Sequence, residues 1–268
     1  MKIVLFDMDG TLTPARKKMT SEICRSLRSL QKIGFNVGIV TGSGINYIID
    51  QCDIMFDIGG LSYDNLDLYP CNGTQHFKIN DQCRPTLIYE NKFIEKIGAK
   101  KYSQIIYNCL CLLSNLEIND WSHTMPLTGN FIDCRGSMIN FCPIGRNASA
   151  AQREAWKSLD RKHKIRLGMI ETLEFVFANK GISFKLGGET SIDIFPTGWD
   201  KTYVLKNFDS RDNIWFVGDR CKPPGNDSEI YEKVKKDYPG QAYESTGPEH
   251  TVELIKKIIS YSAMVNEE

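Results

Sequence analysis

The sequence predicts an α/β fold in which a mainly parallel sheet is interrupted by an inserted α+β domain. Three observations predict it. Short apolar runs that stop at polar residues recur near both ends of the 268-residue chain, segments of helical period separate them, and the middle groups hairpin-like strands with polar helices.

Ile3-Val4-Leu5-Phe6 contains no polar residue and stops at Asp7, as a strand buried on both faces does. Thr20-Ser21 is a helix start; Ile23, Leu27, Leu30 and Ile33 follow at helical spacing, and Gly34 closes the segment. Val37-Gly38-Ile39-Val40 repeats the strand pattern and ends at Thr41-Gly42-Ser43, and Ile54-Met55-Phe56 reads as the third strand. Strand, helix, strand, helix, strand implies parallel pairing through right-handed crossovers. Further on, Phe131-Ile132-Asp133-Cys134-Arg135 and Met138-Ile139-Asn140-Phe141 flank Gly136-Ser137 as a hairpin. Helical stretches are expected at 149–162 and 170–179, and strands at 182–186 and 192–195. After Pro196 the first pattern resumes: Ile214-Trp215-Phe216-Val217 ends at Gly218-Asp219, and an amphipathic stretch at 251–260 closes the chain. The expected division is a core of residues 1–85 and 198–268 around an insertion at 86–197.

Lysine plus arginine and aspartate plus glutamate both number 33, so the neutral chain carries no signature of a nucleic-acid or anionic-membrane partner. Nine cysteines are an odd number without zinc-knuckle spacing. Met1 leads straight into a strand-like run without a signal-peptide pattern, and no apolar stretch reaches membrane-spanning length. The expectation is a cytoplasmic protein with reduced cysteines.

Open α/β sheets build their sites at the carboxyl ends of the strands. Here those ends present Asp7 and Asp9, then Thr41 and Ser43, then Asp219, with Asn226-Asp227 close behind. Collected carboxylates repel one another; a hard cation relieves this, and oxygen donors select magnesium. Asp7 can attack phosphorus, and Asp9 can move a proton on and off the leaving or entering hydroxyl. Thr41 and Ser43, with backbone N–H groups, can hold phosphoryl oxygens, and Lys201 can neutralise the remaining charge. Alone, Asp-x-Asp-Gly-Thr also matches a helix-capping turn. Joined to the other strand ends, it reads as a phosphotransfer site.

Asp7-Met8-Asp9-Gly10-Thr11 is similar to the signature of haloacid dehalogenase-type (HAD) phosphotransferases. Leu12-Thr13-Pro14-Ala15-Arg16, Pro143-Ile144-Gly145-Arg146, Phe195-Pro196-Thr197-Gly198-Trp199-Asp200-Lys201 and Gly225-Asn226-Asp227-Ser228-Glu229-Ile230-Tyr231 resemble the eukaryotic-type phosphomannomutases, in the same order along nearly the whole chain. The resemblance implies a Rossmann-like HAD core with a mobile α+β cap, often a homodimer through the cap. It implies interconversion of mannose 6-phosphate and mannose 1-phosphate, a step toward GDP-mannose, with a hexose 1,6-bisphosphate as activator. Carried over, Asp7 is the nucleophile, Asp9 the general acid/base and Lys201 a phosphate contact. Asp7, Asp9 and Asp219 hold Mg2+, Asp9 through its backbone carbonyl. Arg16, Arg135, Arg146, Ser191 and Asp193 contact the sugar phosphate from the cap side. Arginine suits that task because its planar fork binds phosphate bidentately, and Ser191 and Asp193, two apart on a strand, share a face.

Two positions depart from the family pattern. Thr128 stands where the family has an arginine, and Lys233 where it has the acidic ligand of a second cation, so no second metal is placed. His123 stands near Thr128 in the sequence and could lend charge to that phosphate site, although a lone loop histidine seldom fills such a role. Three functions remain in view: a mutase; a sugar phosphatase, toward which Thr128 leans; and a non-catalytic sugar-phosphate-binding protein, against which the intact Asp7, Asp9, Lys201 and Asp219 argue.

Overall fold

The computed structural model describes residues 1–57, 60–116 and 127–265; His123 lies outside the described residues. The chain divides into two compact units, Met1–Glu90 with Trp199–Glu268, and Asn91–Gly198. In chain order the first unit opens with β1 (Lys2–Phe6), α1 (Ser21–Lys32), β2 (Asn36–Val40), α2 (Ile45–Gln51), α3 (Ile54–Asp57), β3 (Leu66–Tyr69), β4 (Gln75–Ile79) and β5 (Pro85–Glu90). The second unit holds α4 (Phe93–Ile97), α5 (Ala99–Ser114), β6 (Ile132–Cys134), β7 (Ile139–Phe141), α6 (Ala150–His163), α7 (Ile165–Val176), β8 (Ile182–Gly187) and β9 (Ser191–Pro196). The first unit then resumes with β10 (Asn213–Gly218), α8 (Ser228–Asp237), β11 (Ala242–Glu244) and α9 (Pro248–Val265).

The first unit is an α/β layer structure on one sheet of order β11-β10-β1-β2-β3-β4-β5. Strands from β11 to β3 are parallel, while β4 and β5 run antiparallel to their neighbours. The unbroken apolar run of β1 has a direct cause. Val4 and Phe6 pack on one face with Ile23, Leu27 and Leu30 of α1 and Ile255 and Ile258 of α9. Ile3 and Leu5 pack on the other with Ile230 and Val234 of α8. The Thr20 hydroxyl accepts the Ile23 N–H at 3.4 Å and starts α1.

Three expectations are corrected. Ile54-Met55-Phe56 is the helix α3, not the third strand, which is Leu66–Tyr69. The Asp53 carboxylate accepts the Ile54 N–H at 2.8 Å and turns the chain into the helix, and three apolar residues are too few to display a period. Residues 86–90, expected in the insertion, belong to β5, which pairs with β4 in the core sheet, so the units divide after Glu90. Helix α7 starts at Ile165 rather than near 170; a left-handed Lys164 alone separates it from α6, and no capping side chain marks the start.

The second unit is α+β, with an antiparallel sheet of order β6-β7-β9-β8. One face, including Ile139, Phe141, Ile192 and Ile194, packs on Ile105 of α5 and Met169 and Leu173 of α7. The alternate positions align Asp133, Asn140, Asp193 and Lys185 across the four strands. Among the described residues no helix is long and apolar enough to cross a membrane, and all nine cysteines are free thiols.

Candidate active site

The sheet places Asp7, Thr41 and Asp219 at the carboxyl ends of three adjacent parallel strands. β1 lies between β10 and β2, with Phe6 opposite Val217 and Ile39, and the Asp7 N–H donates to the Val217 carbonyl at 2.9 Å. The chain then turns tightly. The Leu12 and Thr13 N–H groups both reach the Met8 carbonyl at 2.9 Å, and Thr251 at the start of α9 donates to the Thr11 carbonyl at 2.9 Å. Gly10 is required twice here: its φ is +89°, and a Cβ would strike the Asp219 carboxylate.

Lys201 opens a 3-10 turn capped by Asp200, which accepts the Thr202 N–H at 2.9 Å. Its buried ammonium donates to both Asp7 and Asp227. Asp227 is fully buried, and its second oxygen accepts the Arg220 N–H at 3.1 Å. Thr11 donates to the second oxygen of Asp7 at 3.3 Å. Oxygens of Asp7, Asp219 and Asp227 lie within 4.8 Å of one another.

The electrostatics follow from that crowding. Burial pushes the Asp7 carboxyl up to about 8 against the pull of Lys201, with Asp227 and Asp219 adding to the rise. Burial and Asp227 push Asp219 up to about 6, against Arg220 and Lys201. For Lys201, burial acts to lower the value, but the Asp227 and Asp7 carboxylates outweigh it and hold the lysine above its ordinary range. Three carboxylates around one ammonium leave an excess of negative charge that a divalent cation would balance. An all-oxygen donor set of this size fits magnesium.

The Asp9 carboxylate stands outside this cluster. Its Oδ1 accepts the backbone N–H of Arg16 and the hydroxyl of Tyr47, both at 2.9 Å. Arg16 itself is exposed. Thr41 is buried and its hydroxyl accepts the Ser43 N–H at 3.1 Å, which folds the end of β2 into a local turn.

In the second unit, Arg135, Arg146, Ser191 and Asp193 form one network through two residues that sequence reasoning did not single out. Asp133 accepts from Arg135 Nε at 2.9 Å and lies 3.5 Å from Arg146 Nε. Asn140 donates to Ser191 Oγ at 2.8 Å and Asp193 Oδ1 at 2.6 Å, and accepts from Arg146 Nη1 at 2.8 Å. Arg153 ties the Arg146 carbonyl, at 2.6 Å, to the Thr190 hydroxyl, at 2.8 Å. Thr128 spends its hydroxyl on the Ile144 carbonyl at 2.8 Å. The strand period of two was the available signal for Asp133 and Asn140, which alternate with apolar neighbours. For Asp227 the signal was the Gly225-Asn226-Asp227 run itself.

The parallel core, with the paired Asp7 and Lys201 and the acidic cluster at its strand ends, has the fold of the haloacid dehalogenase class. A haloacid dehalogenase-like hydrolase from Bacteroides thetaiotaomicron superposes with a TM-score of 0.56 at 17% identity, over 96% of this chain and 99% of that one. An IMP-nucleotidase of Plasmodium falciparum does so with 0.67 at 15%, over 97% and 68%. Such identities speak to the fold alone. The sequence goes further: residues 23–261 match the eukaryotic phosphomannomutase family. A phosphomannomutase of Schizosaccharomyces pombe is 34% identical over 96% of this chain and 94% of its own length. Human phosphomannomutase 1 is 33% identical over 96% and 91%. The chain belongs to the eukaryotic phosphomannomutase family and is an enzyme of it.

Proposed function

We propose that the protein interconverts mannose 6-phosphate and mannose 1-phosphate through an aspartyl phosphate on Asp7 and a hexose bisphosphate. The observation that carries this reading is the buried Asp7 carboxylate, held between Lys201 and Thr11 beside Asp219 and Asp227, in a chain of this family. An Asp7 oxygen attacks the phosphorus of the bisphosphate activator. Asp9 gives its proton to the departing sugar oxygen, then takes one from the hydroxyl of the next hexose phosphate as that oxygen draws the phosphoryl group off Asp7. Lys201 pulls the Asp7 carboxyl toward its charged form and orients it before attack. Magnesium, when held by Asp7, Asp219, Asp227 and the Asp9 carbonyl, supplies charge neutralisation at the phosphoryl group. On the first unit Arg16, Thr41 and Ser43 are the candidate phosphate contacts; on the second, Arg135, Arg146, Ser191 and Asp193 are the candidate hexose-phosphate contacts. The arginines supply fork-shaped donors, and Asn140 orients the other two.

Hydrolysis is the second reading, and Thr128 favours it as a side reaction: its hydroxyl is committed to Ile144, and it brings no cation to the phosphate. One experiment separates the readings. The protein is incubated with magnesium and mannose 1-phosphate, with and without glucose 1,6-bisphosphate, and followed by phosphorus NMR. Mannose 6-phosphate is the expected product. Free phosphate alone identifies a phosphatase, and no turnover leaves a binding protein. Asp7→Asn should abolish turnover and hydroxylamine-labile phosphate incorporation with folding retained; undiminished turnover refutes the nucleophile. A cytoplasmic location and a homodimer through the second unit complete the proposal, the dimer checked by light scattering.

A further inference from the structure

We propose that Tyr47 is a positioning residue for Asp9, aiming the carboxylate that exchanges protons with the sugar oxygen. This rests on Asp9 being the acid/base of the reading above. Tyr47 lies in the first turn of α2, just beyond the end of β2, so the topology brings it beside the loop that leaves β1. Its ring packs against the core cluster around α1 and α9, and its hydroxyl reaches out to Asp9 Oδ1 at 2.9 Å. The Arg16 N–H reaches the same oxygen at 2.9 Å, from a residue at φ +61° at the end of the Asp9 loop. Among the described residues both recorded donors to this carboxylate meet Oδ1. That leaves Oδ2 to exchange the proton, and two donors from different elements fix the plane in which it points. The two anchors differ in kind: Arg16 uses backbone within the same loop, whereas Tyr47 ties that loop to the core. Without the hydroxyl the carboxylate keeps one anchor and gains rotational freedom.

The function of such an anchor is specific to one part of the chemistry. In the first half-reaction Asp7 Oδ forms a bond to phosphorus, the ester P–O bond breaks, and its electron pair leaves with the sugar oxygen, which takes the proton of Asp9. A 4-nitrophenyl ester goes through the same bond changes, but its phenolate is stable and leaves without that proton. Misaiming Asp9 therefore slows transfer from a sugar phosphate and spares transfer from the aryl ester. General acid/base catalysis is worth about 10²- to 10⁴-fold, and loss of one of two anchors should forfeit about tenfold or more of it.

The test compares single-turnover phosphorylation of the full-length protein by glucose 1,6-bisphosphate and by 4-nitrophenyl phosphate, for the wild type, Tyr47→Phe and Asp9→Asn. The readout is the ratio of the two rates, with thermal unfolding as a check on the fold. We expect the ratio to fall about tenfold or more in Tyr47→Phe and further in Asp9→Asn. A lower ratio in Asp9→Asn alone overturns the role of Tyr47 and leaves the role of Asp9 standing. Equal losses on both substrates in Tyr47→Phe make the tyrosine a packing residue only. An unchanged ratio in Asp9→Asn overturns the role of Asp9, and this inference with it.

Discussion

Lys201→Met is the sharpest test of how the site is held together. The substitution keeps most of the aliphatic stem and removes the ammonium that sits, itself 1% exposed, between Asp7 and Asp227, which are 7% and 0% exposed. Taking one partner from a buried ion pair typically costs about 3–5 kcal/mol, because the remaining charge is left uncompensated. In a unit of this size each kcal/mol moves the unfolding midpoint by about 2–4 °C, so a drop of roughly 6–20 °C is expected. The loss should depend on pH. Lys201 pulls the Asp7 value down, so without it Asp7 rises further and takes up a proton more readily. The deficit is then smallest in acid and largest above about pH 8. Magnesium should restore part of the lost stability by substituting for the missing charge. The assay is thermal unfolding of both proteins at pH 5.5 and 8.5, with and without magnesium, alongside the turnover rate. Turnover should fall by about 10²- to 10³-fold, as when a preorganised electrostatic contact is removed. Midpoints within a degree or two of each other at both pH values would refute the reasoning, since the two carboxylates would then not depend on Lys201.

Three further outcomes are expected. Gly10→Ala forces φ +89° on a residue with a Cβ and drives that carbon into Asp219. It should cost about 1–2 kcal/mol and weaken magnesium binding; an unchanged affinity by calorimetry would show that Asp219 moves aside freely. In the metal-free protein, Asp7 and Asp219 stand at about 8 and about 6, above their ordinary carboxylate value. The folded state therefore binds more protons than the unfolded one. The stability they contribute is complete below about pH 4 and is lost as pH rises through those two values. Magnesium needs the ionised carboxylates, so it should bind more tightly at pH 8 than at pH 6 and release protons, seen as a binding heat that varies with the buffer's ionisation heat. Thr128→Arg gives up the hydroxyl bond to Ile144, worth about 1 kcal/mol, and adds a guanidinium beside the loop of Arg146. The ratio of mannose 6-phosphate to free phosphate should rise, and an unchanged ratio would mean that position 128 faces away from the phosphate.

The sequence by itself determined the parallel core and its acidic strand ends. A strand buried on both faces, such as β1, is apolar at every position, so its end at Asp7 is visible in one dimension. Thr20 declares the start of α1 in the same local way. Where the local signal was short or polar, the reading failed: Ile54-Met55-Phe56 spans too few residues to show a period, and the β4–β5 hairpin carries Gln75, His76, Lys78 and Glu90, which break the apolar pattern although Gln75 and His76 are buried. Only the tertiary structure decided which acids share Lys201, since Asp227 reaches it because the loop after β10 folds back, its N–H donating to the Arg220 carbonyl at 3.2 Å. It also decided that the Asp9 carboxylate turns to Tyr47, 38 residues on, and that Asp133 and Asn140 join four scattered candidates into one network. Local periodicity records which side of an element is buried; it holds no record of which polar atoms the folded chain brings within hydrogen-bonding distance.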